Sequence, residues 1–432
     1  MPPPGDFLDR PALREHQATA LRALLAEIHP RNEFYRRKFA AAGIDPGTIQ
    51  SLDDLPRLPW TTKEELLADQ QGCPPYGSVL TYPVERYCRL HQTSGTAGQP
   101  LRWLDTPDSW DRMLGCWETI FRIVGLRPGD RLFFPFSFGP FLGFWTAFDA
   151  AARLGYLCLP GGGMSSSARL RFLLDHRATI LFCTPTYSLR LAEVAAQEKL
   201  DLAASPVRMV IVAGEPGGSI PATRQRIEQA WGARVIDHNG LTEVGPVGVE
   251  CLENPAGLHL LETDYLAEVI APATGQPVPP GEIGELVLTN LGRWGSPVIR
   301  YRTGDLVRVD PRPCPCGRAL VRLEGGILGR TDDMIHLRGN NVYPGALEAV
   351  LLRFPEVAEF RVTVDQTGAL PVLKVEVEPA PVPASGVELA DRLAQAIRDE
   401  LFFRAEVALL PPGALPRFEM KSKRFHRKAA EG

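Results

Sequence analysis

Apolar residues recur at helical spacing through residues 11–40: Leu13, Leu21, Leu24, Leu25 and Ile28, then Phe34, Tyr35 and Phe39. The run TTKEELLAD (61–69) places a Thr cap ahead of acids in a first turn, a helix start. From 108 to 215 helical stretches (108–124, 164–176) give way to short apolar runs such as ATILFCTP (178–185) and VRMVIVAGEP (207–216). Helix and strand in alternation predict a mainly parallel sheet with helices on its faces. Ligands of such sheets bind beyond the carboxyl ends of the strands, where Thr184–Pro185 and Gly214–Pro216 fall. After 258 the runs shorten and become β-like (LAEVIAP, GELVLTN, PVIRYRTGDLVRV), which predicts a β-rich subdomain. Beyond GGILGRTDD (325–333) the order is helix 344–354, strand 358–364, strand 371–378, helix 386–403, a short strand and a tail. The expected fold class is therefore α/β. A large N-terminal domain (1–329) carries mainly parallel sheets flanked by helices plus the β-rich subdomain, and a small α+β C-terminal domain (330–432) follows.

Composition narrows the function classes. Of 432 residues, 44% are hydrophobic and 23% charged, and the formal charge is −4. No strong overall field would gather nucleic acid or an anionic membrane, so neither is expected as a partner. The basic cluster Lys421, Lys423, Arg424, Arg427 and Lys428 reads as a solvated tail on composition alone. The apolar stretch 132–148 is short and is broken by Pro135, Gly139, Pro140 and Gly143, so no membrane span is expected. The N-terminal residues lack a signal-peptide pattern, and 8 Cys are too sparse for a disulfide scaffold. A cytoplasmic protein with reduced thiols is expected. A homodimer is the default expectation for oligomeric state.

The segment HQTSGTAGQP (91–100) is flanked by VERYCRL and LRWLDT, both strand-like, so it should be a hairpin tip. Its glycines let backbone N–H groups converge on an anion, and its hydroxyls add donors. It lacks the Gly-Lys-Ser/Thr of a Walker loop. A surface turn would have the same composition. Further segments follow in order: VAGEP (212–216), DHNGLTEVGP (237–246), YRTGDL (301–306), GRTDDMIHLRGNNVYPGALE (329–348) and LPRFEMKSKR (415–424). Together with the hairpin, they closely resemble the adenylate-forming superfamily of acyl-CoA synthetases and adenylation domains, and most of all the phenylacetate–CoA ligase family. The resemblance runs from about residue 30 to 428.

What it implies is an ATP-dependent reaction in two steps. A carboxylate attacks the α-phosphate to give acyl-adenylate and pyrophosphate, and a thiol, usually that of coenzyme A, then displaces AMP. By resemblance Thr93, Ser94, Gly95, Thr96 and Gly98 grip the β/γ-phosphates, although Gln99 stands where a Lys is common. Glu243 matches the carboxylate that organises Mg²⁺, a hard cation suited to oxygen ligands, and Thr242 the residue that contacts the α-phosphate. Asp305 should accept from both ribose hydroxyls, with Arg330 as the second ribose-side contact; a turn Asp after Gly304 is the plain alternative. Gly214, Glu215 and Pro216 resemble the wall beside the adenine, and Asp237 a residue near its amino group. Asn239 stands where most relatives carry a Tyr that stacks on adenine. Lys421 matches a mobile C-terminal lysine that bridges carboxylate and α-phosphate, with Lys423 as the alternative. Asp332 matches the hinge on which a mobile small domain swings.

The acid should be aromatic and small, its pocket drawn from Phe138, Phe141, Gly240 and Pro246, whereas Phe133, Phe134 and Phe148 read as core. Cys251, His259, Cys314 and Cys316 make up three thiols and one imidazole, a donor set for a closed structural Zn²⁺ site. Some phenylacetate–CoA ligase relatives carry the same pattern; a plain buried thiol at Cys251 is the other reading. The leading expectation is an aryl-acid–CoA ligase. Two others stand beside it: an adenylating enzyme that passes the acyl group to a carrier protein or an amine, and a nucleotide-binding relative without turnover.

Overall fold

The computed structural model describes residues 5–93, 99–333, 335–337, 340–365, 372–380, 386–418 and 422–428. Helix α1 (Arg10–Ile28) starts on Asp9, whose side chain accepts the Ala12 N–H, and buries Leu13, Leu21, Leu24, Leu25 and Ile28. Asn32 caps α2 (Glu33–Ala41) in the same way. Helix α3 (Lys63–Gly72) opens on a full capping box: Thr62 accepts from the Glu65 N–H at 3.3 Å, and Glu65 accepts from the Thr62 N–H at 2.9 Å.

Strands β1 (Arg89–Gln92) and β2 (Arg102–Asp105) pair antiparallel, which makes the segment between them a hairpin tip. The strand expected from Val84 onward begins only at Arg89, because Pro83 caps a 3-10 turn over Val84–Arg86. The alternating part then runs α4 (Pro107–Ile123), β3 (Arg131–Phe134), α5 (Trp145–Arg153), β4 (Leu157–Pro160), α6 (Ser166–Asp175), β5 (Ile180–Cys183), α7 (Pro185–Gln197), β6 (Met209–Val212), α8 (Pro221–Trp231) and β7 (Arg234–Leu241). Every residue of β5 and β6 is buried, as a strand covered by helices on both faces must be.

The chain continues through β8 (Gly245–Val249), β9 (Gly257–Leu260), β10 (Tyr265–Ile270), β11 (Ile283–Asn290), β12 (Tyr301–Arg308), β13 (Arg322–Glu324) and β14 (Gly329–Arg330). The largest sheet has the order β13-β9-β8-β7-β6-β5-β3-β4. Its stretch from β4 to β7 is parallel, and β8, β9 and β13 extend it antiparallel. Strands β10, β11, β12 and β14 form a separate antiparallel sheet, the β-rich part.

The C-terminal unit holds β15 (Ile335–Leu337), β16 (Asn340–Val342), α9 (Pro344–Leu352), β17 (Val357–Asp365), β18 (Val372–Pro379), α10 (Gly386–Leu401), β19 (Ala405–Leu409) and β20 (Phe425–Lys428). It has its own core, from Leu347 and Phe360 to Leu393 and Ile397. The expected basic tail is corrected here: residues 425–428 are strand β20, paired in parallel with β17. Arg424 is not solvated but buried, its guanidinium clasped by Glu348 and Glu359. Two carboxylates compensate one buried cation, a partnership that composition cannot reveal. Phe133 and Phe134 lie fully in the core and Phe148 packs against it, in line with the sequence.

Candidate active site

The strand order sets the site. Because β3, β5, β6 and β7 are neighbours running in one direction, their carboxyl ends share one edge of the sheet. That edge carries the segment after β3 with Phe138 and Phe141, Thr184–Pro185 at the start of α7, Gly214–Pro216 after β6, and Gly240–Glu243 at the end of β7.

Glu243 is buried, and Tyr301 Oη donates to its Oε1 at 2.6 Å. Thr242 is held through its backbone: Arg293 Nη1 donates to the Thr242 carbonyl at 2.6 Å. Arg293 is itself locked by a buried two-armed pair with Asp105 of β2, Nε to Oδ1 at 2.6 Å and Nη2 to Oδ2 at 2.7 Å. The end of β7 and the open end of the hairpin, where Asp105 pairs with Arg89, are thus tied through one guanidinium. Gly240 must lack a side chain, since a methyl group there would stand 2.7 Å from the Gly245 carbonyl oxygen. Sequence reasoning missed Tyr301, Arg293 and Asp105. Tyr301 opens the YRTGDL segment and was within reach; Arg293 and Asp105 sit in no recognisable pattern.

Asp305 lies inside β12 rather than in a turn, opposite Arg330 of β14. Arg330 Nη1 donates to Asp305 Oδ1 at 3.0 Å, and its Nε and Nη2 donate to Asp332 Oδ1 and Oδ2 at 2.9 and 3.2 Å. Burial pushes the Asp305 carboxyl up to about 6, with Arg330 pulling it down and Glu243 raising it further. Asp237, also buried, accepts from Ser219 Oγ at 2.5 Å, and burial pushes it to about 6 as well. Beside it Glu250 accepts from Arg224 and from the Asp237 N–H, and burial moves its carboxyl up to about 7. Both amide atoms of Asn239 are buried without a hydrogen-bond partner among the described residues. Gly214 takes φ +94°, a conformation that favours glycine. Pro216 is exposed, whereas the Glu215 carboxylate is occupied: it accepts the Thr186 N–H at 2.9 Å and the Ser422 N–H at 2.7 Å.

Thr93 closes the tip loop of the hairpin, its N–H donating to Leu101 O and its hydroxyl accepting the Leu101 N–H, both at 3.0 Å. Gln99 accepts from Gln71 Nε2 at 3.1 Å. Ser94, Gly95, Thr96, Gly98 and Lys421 lie outside the described residues, and Lys423 is exposed. Phe138 has φ +50° and packs edge-on against Phe136, Trp145 and Phe148. Its ring contacts thus run to its own stretch, while Gly240 and Pro246 face each other across the β7–β8 pair.

Away from this edge, Cys251, His259, Cys314 and Cys316 converge, their ligand atoms all within 4.8 Å of one another. Cys251 Sγ is 3.6 Å from Cys314 Sγ, and Cys316 Sγ is 3.4 Å from His259 Nε2.

Residues 83–292 match the AMP-binding enzyme family model and residues 339–428 the AMP-binding enzyme C-terminal domain. The chain is 35% identical over 437 residues to the phenylacetate-coenzyme A ligase of Thermus thermophilus, covering 96% of each chain. It superposes with a TM-score of 0.92 on 2-hydroxyisobutyryl-CoA ligase in the postadenylation state in complex with R3-HIB-AMP, 29% identical, covering 98% of this chain and 91% of that one. Against the same ligase in complex with 2-HIB-AMP and CoA in the thioesterification state, 30% identical with the same coverage, the TM-score is 0.74. The relative placement of the units here therefore matches the postadenylation state.

Proposed function

Because the chain belongs to the phenylacetate–CoA ligase group of AMP-binding enzymes, and so is an AMP-forming acid–CoA ligase, we propose that its acid is a small, flat aromatic one. The reaction forms an acyl-adenylate from ATP and then a thioester with coenzyme A, releasing pyrophosphate and AMP. The observation that carries the assignment of roles is the convergence of Thr242, Glu243 and the 214–216 segment on one sheet edge, with Asp105 tying the phosphate hairpin to it through Arg293.

In this reading the hairpin residues Thr93, Ser94, Gly95, Thr96 and Gly98 bind the β/γ-phosphates. Thr242, fixed by its carbonyl, orients its hydroxyl towards the α-phosphate. Glu243 fits a Mg²⁺ site as an acceptor whose one oxygen is already set by Tyr301. When bound, that cation neutralises charge on the departing pyrophosphate. Asp305 accepts from the ribose hydroxyls, with Arg330 holding its carboxylate in place. Asp237 and Asn239 face the adenine, and Gly214 and Pro216 line its wall. Lys421 neutralises charge between the acid and the α-phosphate during the first step. Phe138, Phe141, Gly240 and Pro246 shape the acyl pocket. The unit boundary lies between 329 and 330, with Asp332 as hinge. The domain beyond it, 330–432, presents Lys421 in one pose and the 337–344 loop to coenzyme A in the other.

Cys251, His259, Cys314 and Cys316 hold a structural Zn²⁺. The donor set suits this ion, and a tetrahedral site with ~2.3 Å Zn–S bonds needs sulfurs roughly 3.8 Å apart, close to the 3.6 Å between Cys251 and Cys314. The sulfurs are too far apart to be bonded. His259 Nδ1 lies 3.2 Å from the Leu320 carbonyl, which leaves Nε2 facing the cluster.

The test is ATP–pyrophosphate exchange over a panel that includes phenylacetate, benzoate and 2-hydroxyisobutyrate, followed by mass detection of acyl-CoA. An aromatic acid should give the highest exchange; preference for 2-hydroxyisobutyrate would overturn the aromatic reading. Lys421→Ala should lose about two or more orders of magnitude in exchange yet still form thioester from supplied acyl-adenylate, with Lys423→Ala as the control.

A further inference from the structure

We propose that Glu215 is a positioning residue for the first half-reaction, acting as the latch that holds the C-terminal unit in its adenylating pose. The inference rests on the reading above. Its observation is separate: the two oxygens of one carboxylate are divided between two units. Oε1 accepts the Thr186 N–H in the first turn of α7, and Oε2 accepts the Ser422 N–H. A helix N-terminus favours an anion there, so the carboxylate is held from behind before it reaches across. Ser422 directly follows Lys421 in the sequence. The backbone position next to that lysine is therefore fixed by the same segment, 214–216, that borders the nucleotide.

The surroundings support a built contact. Arg424, two residues beyond Ser422, is held by Glu348 Oε1 at 2.9 Å and by both oxygens of Glu359, and its Nη1 reaches Thr186 Oγ1 at 3.5 Å. Thr186 thus receives both the latch and its neighbour. Two further crossings flank it: Arg417 Nε to Glu193 Oε2 at 3.3 Å, and Arg226 Nη2 to the Val357 carbonyl at 2.7 Å. Ala222 of α8 packs against the C-terminal core. Glu193 and Arg417 are partly exposed, so their pair contributes little. The two backbone N–H groups on Glu215 are charge-assisted and directional, which makes them the stronger determinant of pose.

The arrangement belongs to one pose. The chain superposes on the postadenylation state of 2-hydroxyisobutyryl-CoA ligase far better than on its thioesterification state, so a contact of this kind should serve the first step and be released before the second. An adenine-wall role alone would affect both steps, because the adenylate occupies the site throughout.

The experiment measures both half-reactions in Glu215→Gln, which keeps the shape and one acceptor but turns an amide NH₂ towards the other N–H. Maximal pyrophosphate exchange should fall about ten- to a hundredfold, the worth of one charge-assisted hydrogen bond. KM for ATP and thioester formation from supplied acyl-adenylate should stay within about threefold of the parent. In parallel, amide hydrogen exchange should accelerate in peptides covering Thr186 and Ser422 and stay unchanged in β5 and β6. Equal loss in both half-reactions, a change confined to the ATP KM, or unchanged amide exchange at Thr186 and Ser422 would overturn the latch. A parent without pyrophosphate exchange on any acid would instead overturn the functional reading, and the amide measurement would still decide the contact.

Discussion

Tyr301 donates its phenol proton to Glu243 Oε1 at 2.6 Å. Burial pushes that phenol far above its ordinary range, and the neighbouring Glu243 carboxylate adds to the rise, so it remains a donor at any working pH. One Glu243 oxygen is thereby oriented, and in the proposed function the other is the one offered to Mg²⁺.

Tyr301→Phe removes this orientation with little change in volume. The Mg²⁺ concentration needed for half-maximal pyrophosphate exchange should rise about tenfold or more, while the rate at saturating Mg²⁺ recovers towards the parent. A Mg²⁺ titration of both proteins is the check. An unchanged Mg²⁺ requirement would separate Tyr301 from the metal site.

Asp305 and Asp237 give a pH dependence. Burial raises both carboxyls to about 6. In the proposed roles each carboxyl serves as a charged acceptor, Asp305 for two ribose hydroxyls at once. Protonation would turn one of its oxygens into a donor, so kcat/KM for ATP should fall as pH drops through 6, with a limiting slope of two protons. Asp305→Asn should lower kcat/KM at pH 7.5 by about ten- to a hundredfold and reduce the slope to one proton. The stability linkage has the opposite sign. Both folded-state pKa values exceed the unfolded value of 3.8, so the folded protein holds the protons more tightly and these groups favour folding at low pH. That contribution is lost as pH rises through 6. Loss of activity at acid pH with intact melting temperature would therefore be a binding effect.

The elements were largely legible in the sequence because periodicity and caps agree with the packing. Thr62 and Glu65 form the capping box that their spacing requires, and the apolar runs of β5 and β6 are buried on both faces. What was illegible depended on distant partners. Arg424 belongs to a basic-looking tail until Glu348 and Glu359, far away in sequence, close around it. Arg293 looks like any loop arginine, yet Asp105 and the Thr242 carbonyl make it the link between hairpin and β7. Glu215 entered the sequence reading only as part of an expected adenine wall, and its grip on Ser422 requires a fold in which residue 422 returns to α7.

The hinge reading yields a contrast between two substitutions at one position. In the present pose Asp332 accepts twice from Arg330, and its carbonyl accepts from Arg427 Nη2 at 3.1 Å. The Asp332 side chain is exposed, so losing the ion pair in Asp332→Ala should cost less than about 1 kcal/mol of stability. Asp332→Pro fixes φ and opposes the backbone change that a swing needs. It should keep pyrophosphate exchange measurable and slow thioester formation by about two orders of magnitude. Parent-like thioester formation in Asp332→Pro would move the hinge elsewhere.

The four-residue cluster makes a prediction that ATP chemistry does not require. Cys251 follows β8 and His259 lies in β9, at the antiparallel end of the large sheet, while Cys314 and Cys316 lie between β12 and β13. A cation there would tie the segment between the two sheets to the strands that follow Glu243. Four protein donors would leave no open position, so the proposed role is structural. Cys251 and Cys314 are buried and His259 fully so, which would leave an empty cluster as packed but unlinked thiols and imidazole. Metal analysis of protein purified without chelator should find about one Zn per chain. Cys314→Ser should lower both metal content and melting temperature, and chelator should lower the melting temperature of the parent while leaving that of Cys314→Ser nearly unchanged. The last comparison separates a metal site from a buried thiol whose loss merely disturbs packing, because only the metal site makes the parent sensitive to chelator. Metal-free parent protein with unaltered stability would refute the site.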